Sequence, residues 1–175
     1  EMSPGMKAHL WGYNGQSPGP TIECVEGDKV RIFVTNKLPE HTTVHWHGIR
    51  LRNAADGVPG VTQDPIKPGA KYVYEFTAPD PGTYFFHPHV GVQLDRGLYA
   101  PLVVEPASEP MSYDRDEVLL LDDWLDGVTG TPDEVLEELR GGMGGMMGGS
   151  GGHMLMGARS ELRGGPCAHG PGPDG

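Results

Sequence analysis

Two short patterns carry the most explicit chemistry in this chain of 175 residues: His45-Trp46-His47-Gly48 and His87-Pro88-His89. On a β-strand, residues i and i+2 face the same side with their Cα atoms roughly 6.6 Å apart, so each pair presents two imidazoles to one region. Pro88 has no ladder donor, which predicts that the second pair lies at a strand end or an edge, where side chains reach a bound ion. A single His-x-His in a β protein is more commonly a polar strand face. Two pairs change the weighing. With Trp46 inside the first and Tyr84-Phe85-Phe86 leading into the second, four imidazoles sit among bulky apolar groups, where uncompensated histidine is costly to bury. Metal binding is the better account of the four. Imidazole suits zinc, copper, iron and nickel alike, so ligand type leaves the metal open.

The elements that must position these histidines are short. From Pro20 to Pro106, apolar runs of strand character alternate with turn residues at fairly regular intervals, which predicts an all-β sandwich or small barrel with a Greek-key connection. The expected strands are Lys29 to Leu38, Thr42 to Ile49, Lys71 to Thr77, Thr83 to His87 and Leu102 to Glu105. Asp56-Gly57, Lys67-Pro68-Gly69 and Asp80-Pro81-Gly82 separate them. Residues 1–110 read as this domain. Residues 111–140 read as an acidic linker with one more short strand at Val118 to Leu121 and a helix over 131–140. The helix follows from Thr131-Pro132-Asp133-Glu134, which combines an N-cap, a first-turn proline and a capping-box glutamate, with Gly141 as a stop.

Composition separates body from tail. The chain has 28 Gly and 17 Pro, and half of the glycines follow Arg140. Residues 141–175 therefore read as a flexible, disordered Gly/Met-rich tail, since glycine at that density does not offset its own conformational entropy. A net charge of −11 argues against nucleic acid as a partner, because that binding relies on Lys and Arg displacing counterions. No stretch approaches the ~18 uninterrupted apolar residues of a membrane-spanning helix, and the first residues carry no secretion signal. Cys24 and Cys167 are too few for a disulfide scaffold. Cys24 shares the parity of Ile22, as a small buried strand residue would, and has no adjacent histidine, which weighs against a blue-copper thiolate role.

Taken together, His45-Trp46-His47-Gly48, Asp56-Gly57, the run Gly82-Thr83-Tyr84-Phe85-Phe86-His87-Pro88-His89 and the run from Gly97-Leu98-Tyr99 to Glu105 resemble the first cupredoxin domain of a multicopper oxidase of the laccase and copper-resistance type. Gly15-Gln16-Ser17-Pro18-Gly19-Pro20 agrees with the same pattern, and the likeness covers about Gly12 to Glu105. The resemblance implies a cupredoxin-like Greek-key β-sandwich and copper as cofactor. It implies that His45 binds the type 2 copper, that His47 and His87 bind one type 3 copper, and that His89 binds the other. It further implies that Asp56, in addition to opening an Asp-Gly turn, helps supply protons where dioxygen is reduced. The family draws four more histidines and a His-Cys-His segment from a C-terminal cupredoxin domain, and neither that segment nor a His-x-x-His-x-His motif occurs here. His9, His41, His153 and His169 match no ligand position.

The reading that follows is the N-terminal domain and linker of a three-domain multicopper oxidase. It supplies half of the trinuclear copper site that reduces dioxygen to water with electrons from a small reducing substrate, a phenol or Cu(I). The missing C-terminal cupredoxin domains are its partners, and the resemblance implies a secreted protein, extracellular or periplasmic. The fragment alone is expected to be inactive. Arg163 to Gly175 has no β-branched or aromatic residue from which to build a strand, so the chain is expected to be a piece truncated or shifted in frame near its end. The alternative is a non-catalytic copper-binding module for storage or tolerance. In that reading Met143, Met146, Met147, Met154 and Met156 offer thioethers to Cu(I).

Overall fold

A computed structural model describes residues 7–125 and 129–141. Six strands and one helix occur in the order β1 (Ile22–Val25), β2 (Lys29–Thr35), β3 (His45–His47), β4 (Lys71–Thr77), β5 (Gly82–His87), β6 (Ala100–Glu105) and α1 (Pro132–Gly141). One sheet has the order β1-β6-β5-β3 and the other pairs β2 with β4. All pairings are antiparallel except that of β1 with β6.

Alternation in the sequence places the core between the sheets. In β2, Val30, Ile32 and Val34 turn inward while Lys29, Arg31, Phe33 and Thr35 are exposed, and β4 answers with Tyr72, Tyr74 and Phe76 in direct register. From the other sheet come Trp46, Phe86, Ala100 and Leu102, all buried. The Trp46 ring meets those of Tyr74, Phe76 and Phe86 at centroid separations of 5.4, 5.1 and 5.4 Å, within the range of favourable aromatic pairs. One polar contact also bridges the layers, the buried Tyr74 hydroxyl accepting the Val44 N–H at 2.9 Å. Buried Asn36 holds the connection after β2. Its amide donates to the Glu40 and Ile66 carbonyls, both at 2.8 Å, and its carbonyl oxygen accepts Leu38 N–H.

Two expectations are corrected. Val118 to Leu121 is not a strand; the segment is irregular, and Leu119 and Leu121 are 82% and 84% exposed. A β-competent sequence becomes a strand only beside a partner that satisfies its backbone, and among the described residues no strand of either sheet pairs with it. The strand expected from Thr42 to Ile49 is only His45–His47, because Gly48 adopts φ 86° and Ile49 N–H turns back to the Trp46 carbonyl. The helix matches its signal. Thr131 N–H donates to the Glu134 carboxylate at 2.8 Å and Glu134 N–H to the Thr131 hydroxyl at 3.3 Å, the reciprocal pair of a capping box. The helix takes in Gly141 as its last residue instead of stopping before it. The tail expected to be disordered, beyond Gly141, lies outside the described residues, as do His153, His169, Cys167 and the five methionines.

Candidate metal centre

Pairing of β3 with β5 sets His45 opposite His87, Trp46 opposite Phe86, and His47 opposite Phe85. Since faces alternate, Trp46 and Phe86 enter the core while His45, His47, His87 and Phe85 share the opposite face. Strand β5 ends at His87, and Pro88 carries the chain off the sheet so that His89 folds back over the same region. The ring centroids of His45 and His89 are 4.3 Å apart, and those of His87 and His89 5.2 Å apart. Candidate ligand atoms of His45, His87 and His89 all lie within 4.8 Å of one another. His47 joins through its Nδ1, 3.0 Å from His87 Nε2. All four sequence-predicted histidines therefore meet on one face of the sheet. His87 is buried beneath the group, His45 is partly covered, and His47 and His89 open to solvent.

Hydrogen bonds orient the rings. His45 Nδ1–H donates to the Asp56 carbonyl at 2.7 Å, with the Asp56 carboxylate 3.4 Å from the same nitrogen, which leaves Nε2 bare. His87 Nδ1–H donates to the Pro88 carbonyl at 2.9 Å, so its Nε2 is the acceptor facing His47. These tautomers follow from the partners each ring is given. Backbone carbonyls holding the far nitrogen of a ligating imidazole are the usual outer support of a metal site. Burial, and then the neighbouring His45, His89 and His47 rings, push the His87 pKa below the ordinary imidazole value to about 4. Burial first and His45 next lower that of His89 as well. His87 is thus neutral and able to ligate across the physiological range, as metal binding requires.

Other residues complete the site. Phe85 stacks on His47 at 4.5 Å and on His87 at 5.0 Å, walling one side of the cluster. The Thr43 hydroxyl accepts His89 N–H at 3.3 Å. Buried Gln93 donates to the Glu40 carboxylate and the His41 carbonyl, and accepts from the Thr42 hydroxyl. These bonds pin the segment after His89 against residues 40–42. Phe85 belongs to the apolar run that leads into the second pair, whereas for Thr43 and Gln93 no local pattern points to the role.

Cys24 stands apart. It lies on β1, three strands from β3 across the sheet, or roughly 14 Å at the usual strand spacing. Its partly buried thiol approaches the Val103 carbonyl, and burial raises its pKa, as befits an inert core residue and not a thiolate ligand.

A multicopper oxidase family model matches residues 1–109. The multicopper oxidase MmcO of Mycobacterium tuberculosis is 48% identical over 127 residues, covering 73% of this chain and 25% of that protein. A copper resistance protein A homolog of Pseudomonas syringae pv. tomato is 44% identical over 128 residues, covering 73% and 21%. The multi-copper oxidase of Pseudomonas thermotolerans superposes with a TM-score of 0.58 at 48% identity, covering 61% of this chain and 26% of that one. The blue copper oxidase of Nitrosomonas europaea superposes at 0.60 and 40% identity, covering 62% and 36%. The chain spans about a quarter of the length of the curated relatives it matches. With a family model matching residues 1–109, relatives 44–48% identical over 127 or 128 residues and a cupredoxin sandwich shared with these structures, this chain belongs to the multicopper oxidase family.

Proposed function

We propose that this chain is the N-terminal domain of a longer multicopper oxidase and holds one half of a trinuclear copper site. The observation that carries the reading is the convergence of four imidazoles on one open face, with His47 Nδ1 and His87 Nε2 3.0 Å apart. Two nitrogens bound to one ion at about 2.0 Å each lie roughly 3 Å apart, so this pair suits a shared type 3 copper. His45, braced by Asp56, takes the type 2 copper and His89 the second type 3 copper. Their solvent-facing side is where a C-terminal cupredoxin domain contributes the remaining ligands. Imidazole donors suit copper, and burial favours the neutral, ligating form of His87.

When bound, copper at this cluster supplies the redox chemistry that reduces dioxygen to water with electrons from a small reducing substrate, a phenol or Cu(I). The chain's own residues bind, orient and move protons. The Asp56 and Pro88 carbonyls fix which ring nitrogen is free, and Phe85 keeps one flank dry. The Asp56 carboxylate, about one-third exposed and 3.4 Å from His45 Nδ1, lies between solvent and the cluster, where it can pass protons inward. A place outside the cytoplasm, periplasmic or extracellular, belongs to the same proposal; among the described residues no helix is long and apolar enough to cross a membrane.

Copper titration by calorimetry, with electron paramagnetic resonance of the bound ion, tests the assignment. Wild type should bind copper through nitrogen donors, and the variant with alanine at His45, His47, His87 and His89 should not. Equal stoichiometry and affinity in the two would refute it. Oxygen consumption should be negligible for this chain alone.

A further inference from the structure

His89 is held differently from its neighbours. Nδ1 of His45 and of His87 each donate to a main-chain carbonyl, whereas the His89 ring makes no hydrogen bond among the described residues. The sheet does not fix it either, since β5 stops at His87 and Pro88 has no N–H to offer. His89 N–H reaches the Thr43 hydroxyl at 3.3 Å, and the ring itself is exposed. Such a ring keeps its place only if the chain behind it is fixed.

Gln93 does the fixing. Its N–H donates to the Val90 carbonyl and its own carbonyl accepts Leu98 N–H, which closes a compact turn between His89 and β6. The side chain leaves that turn and is 1% exposed. Its Nε2 donates to Glu40 Oε1 at 2.7 Å and to the His41 carbonyl at 2.9 Å, while its Oε1 accepts from the Thr42 hydroxyl at 2.7 Å. With both amide hydrogens and the oxygen engaged, the carboxamide has a single orientation. The receiving segment is fastened in turn. The Asn36 amide donates to the Glu40 carbonyl, Thr42 and Ile66 exchange both backbone bonds, and Val44 N–H donates to the Tyr74 hydroxyl. That segment runs directly into β3, whose first residue is His45. Gln93 thus ties the turn behind His89 to the segment that carries His45, and the two ring centroids lie 4.3 Å apart. Packing alone does not call for an amide here, because Met fills a similar volume with no polar atoms to desolvate.

We propose that Gln93 is a positioning residue for the copper cluster: through Glu40, His41 and Thr42 it sets His89 at ligating distance from His45 without touching a metal itself. The inference rests on the reading of His89 as a copper ligand. Gln93→Glu removes both donors and sets a second carboxylate against that of Glu40, so the turn moves away from residues 40–42 and carries His89 with it. Glu40→Gln in the same chain returns a donor to that contact.

The test measures Cu(II) affinity of the full chain by titration, nitrogen couplings in its electron paramagnetic resonance spectrum, and nuclear Overhauser contacts between the His45 and His89 rings in the metal-free protein. Gln93→Glu should bind about 10- to 100-fold more weakly, with fewer nitrogen couplings and fainter ring contacts. Adding Glu40→Gln should recover part of the loss. Gln93→Met keeps the volume and drops all three bonds, so it should show the same weakening with unchanged circular dichroism, and it decides the matter if Gln93→Glu does not fold. In a His89→Ala background neither change should weaken binding further, because Gln93 acts through that ligand. Wild-type affinity in Gln93→Met, or an equal further loss in His89→Ala, which would make Gln93 a packing residue only, overturns the proposal and leaves the copper site standing. A wild type that shows no copper–nitrogen couplings overturns the reading of the four histidines, and this inference with it.

Discussion

Gly57 and Gly69 have the same backbone angle, φ 76°, and opposite surroundings. An added Cβ at Gly69 meets nothing within 4 Å, whereas at Gly57 it would lie 1.8 Å from the Val44 carbonyl oxygen. Gly69→Ala should therefore cost only the left-handed backbone penalty, about 1–2 kcal/mol. Gly57→Ala adds overpacking against rigid backbone, because the obstacle belongs to the residue just before His45 and cannot rotate away. It also shifts the neighbouring Asp56 carbonyl off His45 Nδ1, for a total of about 3–6 kcal/mol. Urea unfolding of the metal-free proteins measures both losses. Copper titration separates them further, since loss of the support behind His45 should weaken affinity about 10- to 100-fold in Gly57→Ala and leave Gly69→Ala unchanged. Equal destabilisation in the two variants, or unaltered copper affinity in Gly57→Ala, would refute the role given to the Asp56-Gly57 turn.

Acid should destabilise the metal-free protein through His87. Its folded pKa of about 4 lies below the unfolded value, so the unfolded chain takes up a proton first, and stability present above about pH 6.5 is lost as pH falls toward 4, by at most about 3 kcal/mol; urea unfolding of His87→Gln should show a flatter acid limb. In Asp56→Asn the main-chain carbonyl that braces His45 remains, so copper affinity should change only a few-fold, while in a longer enzyme stopped-flow kinetics should show slowed oxygen reduction with substrate oxidation nearly unchanged. Copper-loaded protein should lack an intense blue absorption band, and Cys24→Ser should leave its visible spectrum unaltered, because that thiol sits three strands from the cluster.

Much of the candidate site was legible in the residues. Two His-x-His pairs predict same-face imidazoles because strand alternation is a local rule, and β3 and β5 obey it. Lys71 to Thr77 forms a strand over the range its alternation predicts, and the capping box at Thr131 forms as written. Asp56-Gly57 reads as a turn in sequence, and the same turn carries the carbonyl that holds His45.

What local pattern could not determine was whom each segment meets. Val118 to Leu121 has the composition of a strand and is not one, since a strand is made by its neighbour as much as by its own residues, and among the described residues no strand pairs with it. The approach of His47 to His87, the stacking of Phe85 on His47 and the anchoring of His89 through Thr43 and Gln93 all depend on strand register and loop packing between residues 38 or more apart. Residue types and short spacings therefore pointed to the candidate ligands and to the family. Tertiary structure alone decided how the rings are oriented and how deeply each is buried, because those properties belong to contacts that no single stretch of chain contains.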